Sequence, residues 1–215
     1  MESMWLITDT IFKHPFTCMI AGPSQSGKTY LVNNILSFNQ IIIKPEIQRI
    51  YYCYSAWQDF FNTFNVINPE IKFIKGLPDI SEISSLENNL IILDDLMSKI
   101  DESVLNLFTV DSHHKNISVI FITQNLFAQG KFSRTISLNS HYLIVFNNPR
   151  DKTQINVLAR QLFPHNSSYF LESFEDSVKK PHGYLFIDLK QSTESRNRIQ
   201  TGIVPGDLRI IYTPK

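Results

Sequence analysis

The sequence predicts an α/β domain of three layers, a mainly parallel sheet held between helices, and three observations carry that prediction. Apolar runs rich in β-branched and aromatic residues recur at 16–21, 49–55, 71–74, 90–94, 117–123, 142–146 and 184–189, and most are continuous rather than alternating. Strands buried on both faces read that way. Segments with helical spacing of apolar residues lie between them, so strand and helix alternate along the chain, the pattern of an α/β layer architecture. The third observation is a glycine-rich phosphate-loop pattern directly after the first strand.

In chain order, the strand at 16–21 runs into that loop, and a helix is predicted over 29–38 with Leu31, Val32, Ile35 and Leu36 on one face. The strand 49–55 precedes an aromatic and Asn-rich region, 57–70, that carries no clear periodicity. Strands at 71–74 and 90–94 lead to a helix over 102–111, with Val104, Leu105, Phe108 and Thr109 at helical spacing. After strands at 117–123 and 142–146 comes a helix over 151–163, on Ile155, Leu158, Ala159 and Leu162. Asp151 and Gln154 are spaced as in a capping box for it. The strand 184–189 is followed by a polar connection, 190–207, and a last short strand at 208–212. Neither an internal repeat nor a linker is visible. One domain is therefore expected over 1–215, with its core at about 14–190 and a C-terminal extension at 191–215.

Composition agrees. Of 215 residues 43% are hydrophobic and 12% aromatic, enough for a real core and too apolar for a disordered chain. The longest apolar runs are strand-sized and fall short of the roughly 18 residues that span a bilayer, and 1–12 lacks the basic start and apolar stretch of a signal peptide. The expectation is an intracellular, soluble protein with no membrane segment. Cys18 and Cys53 sit inside apolar runs and read as buried, reduced thiols. Twenty basic and twenty acidic residues cancel, so any nucleic-acid contact must be local or shared among subunits.

The loop is Gly22-Pro23-Ser24-Gln25-Ser26-Gly27-Lys28-Thr29, which fits G-x-x-x-x-G-K-[ST] at every fixed position and stands between a strand and an amphipathic helix. Backbone N–H groups at a helix N-terminus wrap a triphosphate, because orphan donors and the helix dipole favour anions there. The glycines let the backbone turn and approach closely, Lys28 reaches the β/γ oxygens, and the Thr29 hydroxyl is a ligand for Mg2+. Further on, 89–93 ends in Asp94-Asp95, and carboxylates at the end of a parallel strand project toward the ligand crevice. Asp94 is expected to hold Mg2+, and Asp95 to orient or deprotonate an attacking water. The strand 117–123 turns polar only at its end, which places Gln124 where an amide senses the γ-phosphate or holds the water.

Other signals read as ordinary structure. Adjacent His113 and His114, with no nearby Cys and no helical partner, fit a solvated turn better than a metal site. Tyr51, Tyr52, Tyr54 and Trp57 fit core packing better than a base-stacking platform. Lys131, Arg134, Arg196 and Arg198 are phosphate-contact candidates that also suit plain solvated surface.

Beyond the loop, a longer string of residues resembles the packaging-ATPase branch of the FtsK/HerA superfamily, and most closely the short ATPases of Polinton/Maverick and adintovirus-type elements. It comprises His14-Pro15-Phe16-Thr17, Leu93-Asp94-Asp95, the stretch 122–127, the stretch 133–139, and the stretches 146–151 and 158–164. The resemblance implies a RecA-like ASCE P-loop NTPase core, Mg2+-dependent ATP hydrolysis and a homo-oligomeric ring. It further implies translocation of double-stranded DNA into a capsid through portal or vertex proteins, and hence a virus-encoded protein acting in host nucleus or cytoplasm. Many relatives carry Asp-Glu where this chain has Asp94-Asp95, and the shorter carboxylate reaches about one methylene less far. Ring ATPases also use an arginine from a neighbouring subunit, for which Arg134 and Arg150 are the candidates. A nucleotide or polynucleotide kinase is the alternative that shares the loop. A non-catalytic scaffold fits poorly with Lys28, Thr29, Asp94 and Asp95 all present.

Overall fold

The computed structural model describes residues 10–67, 71–96, 99–112, 115–127 and 133–214. Its strands are β1 (Phe12–Lys13), β2 (Thr17–Ala21), β3 (Ile43–Lys44), β4 (Arg49–Tyr54), β5 (Ile71–Lys75), β6 (Asn89–Asp94), β7 (Ile117–Thr123), β8 (Tyr142–Phe146), β9 (Tyr184–Asp188), β10 (Ile199–Thr201) and β11 (Ile210–Tyr212). The helices are α1 (Lys28–Ser37), α2 (Asn39–Ile42), α3 (Phe61–Ile67), α4 (Glu102–Asn106), α5 (Ser133–Leu138), α6 (Thr153–Leu162) and α7 (Ser167–Ser177). Among the described residues none of them is long and apolar enough to cross a membrane.

Nine strands form one sheet in the order β11-β10-β9-β8-β2-β7-β6-β4-β5. From β8 to β5 the pairs are parallel, with Thr17 opposite Val119 and Cys18 opposite Tyr142, whereas β9, β10 and β11 join antiparallel. Every residue of β2, β6, β7 and β8 is buried, as their continuous apolar character requires. Two apolar clusters line the two faces: one joins β2 to α1 and the aromatics Phe12, Phe16, Tyr52, Phe61 and Phe64, and the other joins β7 to Val104, Phe108, Leu158 and Phe170. The sheet between helices is thus as predicted, and with the loop before α1 it is the P-loop NTPase fold of RecA-like type.

Several elements depart from expectation. The helix at 102–111 is α-helical only to Asn106 and continues as a π-helical turn, Leu107–Asp111. Within the supposed polar connection Ile199 and Gln200 are buried and pair with β9, so the sheet grows by a strand there. The 57–70 region supplies α3, and α7 was not anticipated, because its sequence SSYFLESFEDS buries Ser173 and Ser177 beside Phe170 and Phe174. The capping-box reading fails in its geometry. The Asp151 carboxylate accepts the Thr153 N–H (3.0 Å), but the Gln154 amide donates to that same carboxylate (2.7 Å) rather than to backbone, while its Oε1 accepts the Leu126 N–H at 2.9 Å. Gln154 thereby pins the loop that follows β7. The His113-His114 pair and Lys131 lie outside the described residues.

Candidate active site

The phosphate loop crosses from the end of the central strand β2 to α1, and its backbone is held for that purpose. The Gly22 N–H donates to the Thr123 carbonyl at 3.2 Å, which ties the loop to the end of β7. A Cβ at Gly22 would lie 2.7 Å from Phe146 Cβ and 2.8 Å from Ser26 Oγ, so only glycine allows this approach. Gly27, at φ 105°, takes the left-handed turn that starts α1. No side chain caps that helix, and its first turn has no acidic residue, which leaves its leading N–H groups aimed at the loop's concavity.

Lys28 is nearly buried, 9% exposed, and its ammonium donates to the Gly22 and Pro23 carbonyls, both at 2.7 Å. Burial lowers its pKa, and the charges of Asp94 and Asp95 oppose that shift. Asp94, at the end of β6, is 5% exposed. Burial raises its pKa and Asp95 adds to the rise, while a hydrogen bond from the Tyr52 hydroxyl (2.7 Å) and the charge of Lys28 work the other way. Asp95 leaves the strand in a left-handed conformation, φ 52°, and is exposed; the Gln124 amide faces its Oδ1 at 3.4 Å. Lys28, Thr29, Asp94, Asp95 and Gln124 line one cavity of about 230 Å3, together with Ser24, Gln25 and Gln58.

The sequence-predicted groups from three separate segments therefore meet at the C-terminal ends of β2, β6 and β7. Ser26 Oγ, in the same loop, is buried without a hydrogen-bond partner among the described residues, an unpaired polar group beside the cavity at Pro23. The Thr29 hydroxyl and Asp94 carboxylate are hard oxygen donors on one cavity. Among the described residues no group of three or more His, Cys, Asp or Glu side chains is placed to hold a metal. A small oxygen set of this kind suits Mg2+, which is bound by one or two protein oxygens together with phosphate oxygens and water. The residues present fit a triphosphate and Mg2+.

On the other flank of the loop lies a larger cavity of about 560 Å3, walled by Pro23, Ser26, Phe146, Asn147, Pro149 and the turn that ends at Gly183. Because β9 runs antiparallel to β8, with Tyr184 opposite Phe146, the turn before β9 arrives at this end of the sheet. His182 in that turn has φ 61°, and its Nδ1 lies 3.1 Å from the Ser26 carbonyl, which as an acceptor fixes the proton on Nδ1.

Arg134 and Arg150 are exposed, on α5 and in the turn after β8, and neither is among the residues lining the two cavities. The structure does not bring them to Lys28 within one chain. Three residues at the site escaped the sequence reading: Tyr52, Gln58 and His182. Of the tyrosines, Tyr52 does pack in the core, but its hydroxyl reaches the site. Both cysteines are buried, and burial pushes the Cys53 thiol up to about 12.

No protein-family model and no curated protein sequence matches the chain. Solved structures do. The chain is similar to the genome packaging NTPase B204 of Sulfolobus turreted icosahedral virus 2 in complex with ATP-gammaS, with TM-score 0.57, 12% identity, and 86% of this chain and 96% of that one covered. The AMPPCP complex of the same protein gives TM-score 0.55 at 13% identity, covering 87% and 96%. The cytoplasmic domain of EssC gives TM-score 0.50 at 16% identity, covering 93% of this chain and 40% of that one. At such identities the likeness is one of fold, and it assigns the chain to the P-loop NTPase architecture.

Proposed function

We propose that this chain is an Mg2+-dependent ATPase that drives double-stranded DNA, as a homo-oligomeric ring, into a capsid. The observation that carries the reading is the convergence of Lys28, Thr29, Asp94, Asp95 and Gln124 on one small cavity beside a helix N-terminus. In this reading the backbone N–H groups of the loop bind the phosphates and Lys28 exchanges its two carbonyl partners for β/γ oxygens. Thr29 and Asp94 would hold Mg2+, which would supply neutralising charge for those oxygens. Asp95 and Gln124 touch each other on the cavity rim, so a water that contacts both is oriented by the amide and gives its proton to the carboxylate. The larger cavity, contiguous with the first through Ser24 and Gln25, takes the base and ribose and has the size of a nucleoside pocket.

The packaging role is supported by the likeness of fold to B204, and the Polinton/Maverick-like assignment by the motif string from 122 to 164. Arg134 or Arg150, exposed on the surface, completes a neighbour's site in the ring. The test is ATP turnover with and without double-stranded DNA. Release of inorganic phosphate that rises with DNA and with protein concentration is expected. Phosphoryl transfer to a nucleotide or polynucleotide acceptor would replace this reading with the kinase.

A further inference from the structure

We infer that Tyr52 is a positioning residue that aims the Asp94 carboxylate into the small cavity, an inference that rests on the nucleotide reading above. β4 and β6 are neighbours in the sheet, with Tyr52 opposite Ile92 and Tyr54 opposite Asp94. Tyr52 thus starts two residues short of the carboxylate on the same face, and the length of a phenol spans that diagonal. Its hydroxyl donates to Asp94 Oδ2 at 2.7 Å, and the tyrosine is fully buried.

The ring itself is held in place. Phe61, Phe64 and Phe73 surround it with centroid distances of 4.9, 5.2 and 5.6 Å. A carboxylate at the end of a strand turns easily about its last torsion, which is broad and two-fold. Tying one oxygen to an immobile donor leaves the other oxygen as the one presented to the cavity that Thr29 also lines. Outer partners of this kind orient a ligand, and their loss typically costs about 10–100-fold in metal affinity. The aromatic 57–70 region and β5 therefore have a task beyond filling the core, because they hold the phenol that holds the carboxylate.

The experiment uses the full chain and a fluorescent ATP analogue, with binding followed across a Mg2+ titration and in EDTA. Tyr52→Phe keeps the ring and removes only the hydroxyl. We expect it to bind nucleotide in EDTA as the parent does, and to need about 10–100-fold more Mg2+ for the half-maximal Mg2+-dependent gain. Phe170→Leu loosens the core cluster on the other face of the sheet, away from Tyr52; it should melt at lower temperature with an unchanged Mg2+ midpoint. If Tyr52→Phe is itself less stable, Phe170→Leu is its reference of weakened packing. An unchanged midpoint in Tyr52→Phe, or an equal shift in Phe170→Leu, overturns the inference while the nucleotide reading stands. A parent chain that binds no nucleotide with or without Mg2+ overturns both.

Discussion

Both ends of the parallel sheet carry buried polar side chains, and the two sets behave differently. At the N-terminal end the Phe16 N–H donates to Ser118 Oγ (3.1 Å), the Ser118 hydroxyl donates to His14 Nδ1 (2.6 Å), and His14 Nε2 donates to Asn116 Oδ1 (3.1 Å). The Asn116 amide in turn donates to Asn88 Oδ1 (2.8 Å), so each donor along this chain meets an acceptor, with the tautomer assigned from its partners. At the C-terminal end a serine hydroxyl is orphaned, a lysine is tied to its own loop and a carboxylate is held buried. A histidine touches a serine at each end, His14 to Ser118 and His182 to Ser26, yet only the first pair belongs to a satisfied network. Buried polar residues whose partners are all protein hold a fold; those left short of partners on a cavity point outward to a ligand.

If the ends differ in this way, changes at the loop end should alter chemistry and spare stability, and changes at the other end should do the reverse. The largest effect is expected of Asp95→Asn, which suits the left-handed backbone there and should retain ATP while turnover falls about 10²–10⁴-fold. Asp94→Asn should instead weaken Mg2+-dependent binding, and equal binding defects from both would place Asp95 on the metal side. Lys28→Ala should lower turnover about 10²–10³-fold and remove most nucleotide affinity, with the melting temperature close to that of the parent. Unchanged turnover in a folded Lys28→Ala chain would sink the loop assignment. Asn147→Trp, an exposed residue on the larger cavity, should weaken ATP roughly tenfold, the scale of one missing good contact, but leave inorganic tripolyphosphate binding intact. Loss of both would mean that the loop, not the nucleoside pocket, had been disturbed.

The smallest effect belongs to the Ser118–His14 network at the other end. Ser118→Ala should cost about 1–3 kcal/mol in urea unfolding, the penalty of unpaired buried groups, with ATP affinity unchanged. Burial lowers the His14 pKa, against the hydrogen bond to Asn116, and Lys190 lowers it further. The unfolded chain therefore takes up this proton first, so stability is complete above the ordinary histidine value and falls as the pH drops below it. His14→Gln should flatten the acid side of that profile; an unaltered slope would show that other groups set it.

Legibility followed sequence distance. The loop and the Asp94-Asp95 pair are contiguous with apolar strands, so short spacing announced them. Tyr52 and His182 act on Asp94 and Ser26 across 42 and 156 positions, and nothing local in either segment marks that use. The Asp151–Gln154 spacing was real but misleading, since an amide that reaches a side chain and a distant N–H leaves the same pattern as a cap. The serines of α7 and the three-residue β10 were missed for a related reason: burial there is decided by what packs against them, and β10 becomes a strand through β9 and β11 beside it.

The place of β2 in the sheet also governs when the protein can form. Its two neighbours, β7 and β8, are encoded far downstream, with Cys18 opposite both Ile120 and Tyr142. While the ribosome is still making the first half of the chain, an apolar strand with no hydrogen-bonding partner on either side must wait, a slow and association-prone step in any topology dominated by distant pairs. The phosphate loop hangs from that strand and from the Thr123 carbonyl. Nucleotide therefore cannot act as an early template for folding, and a nascent chain truncated before β8 should depend on chaperones to keep β2 from pairing with a stranger.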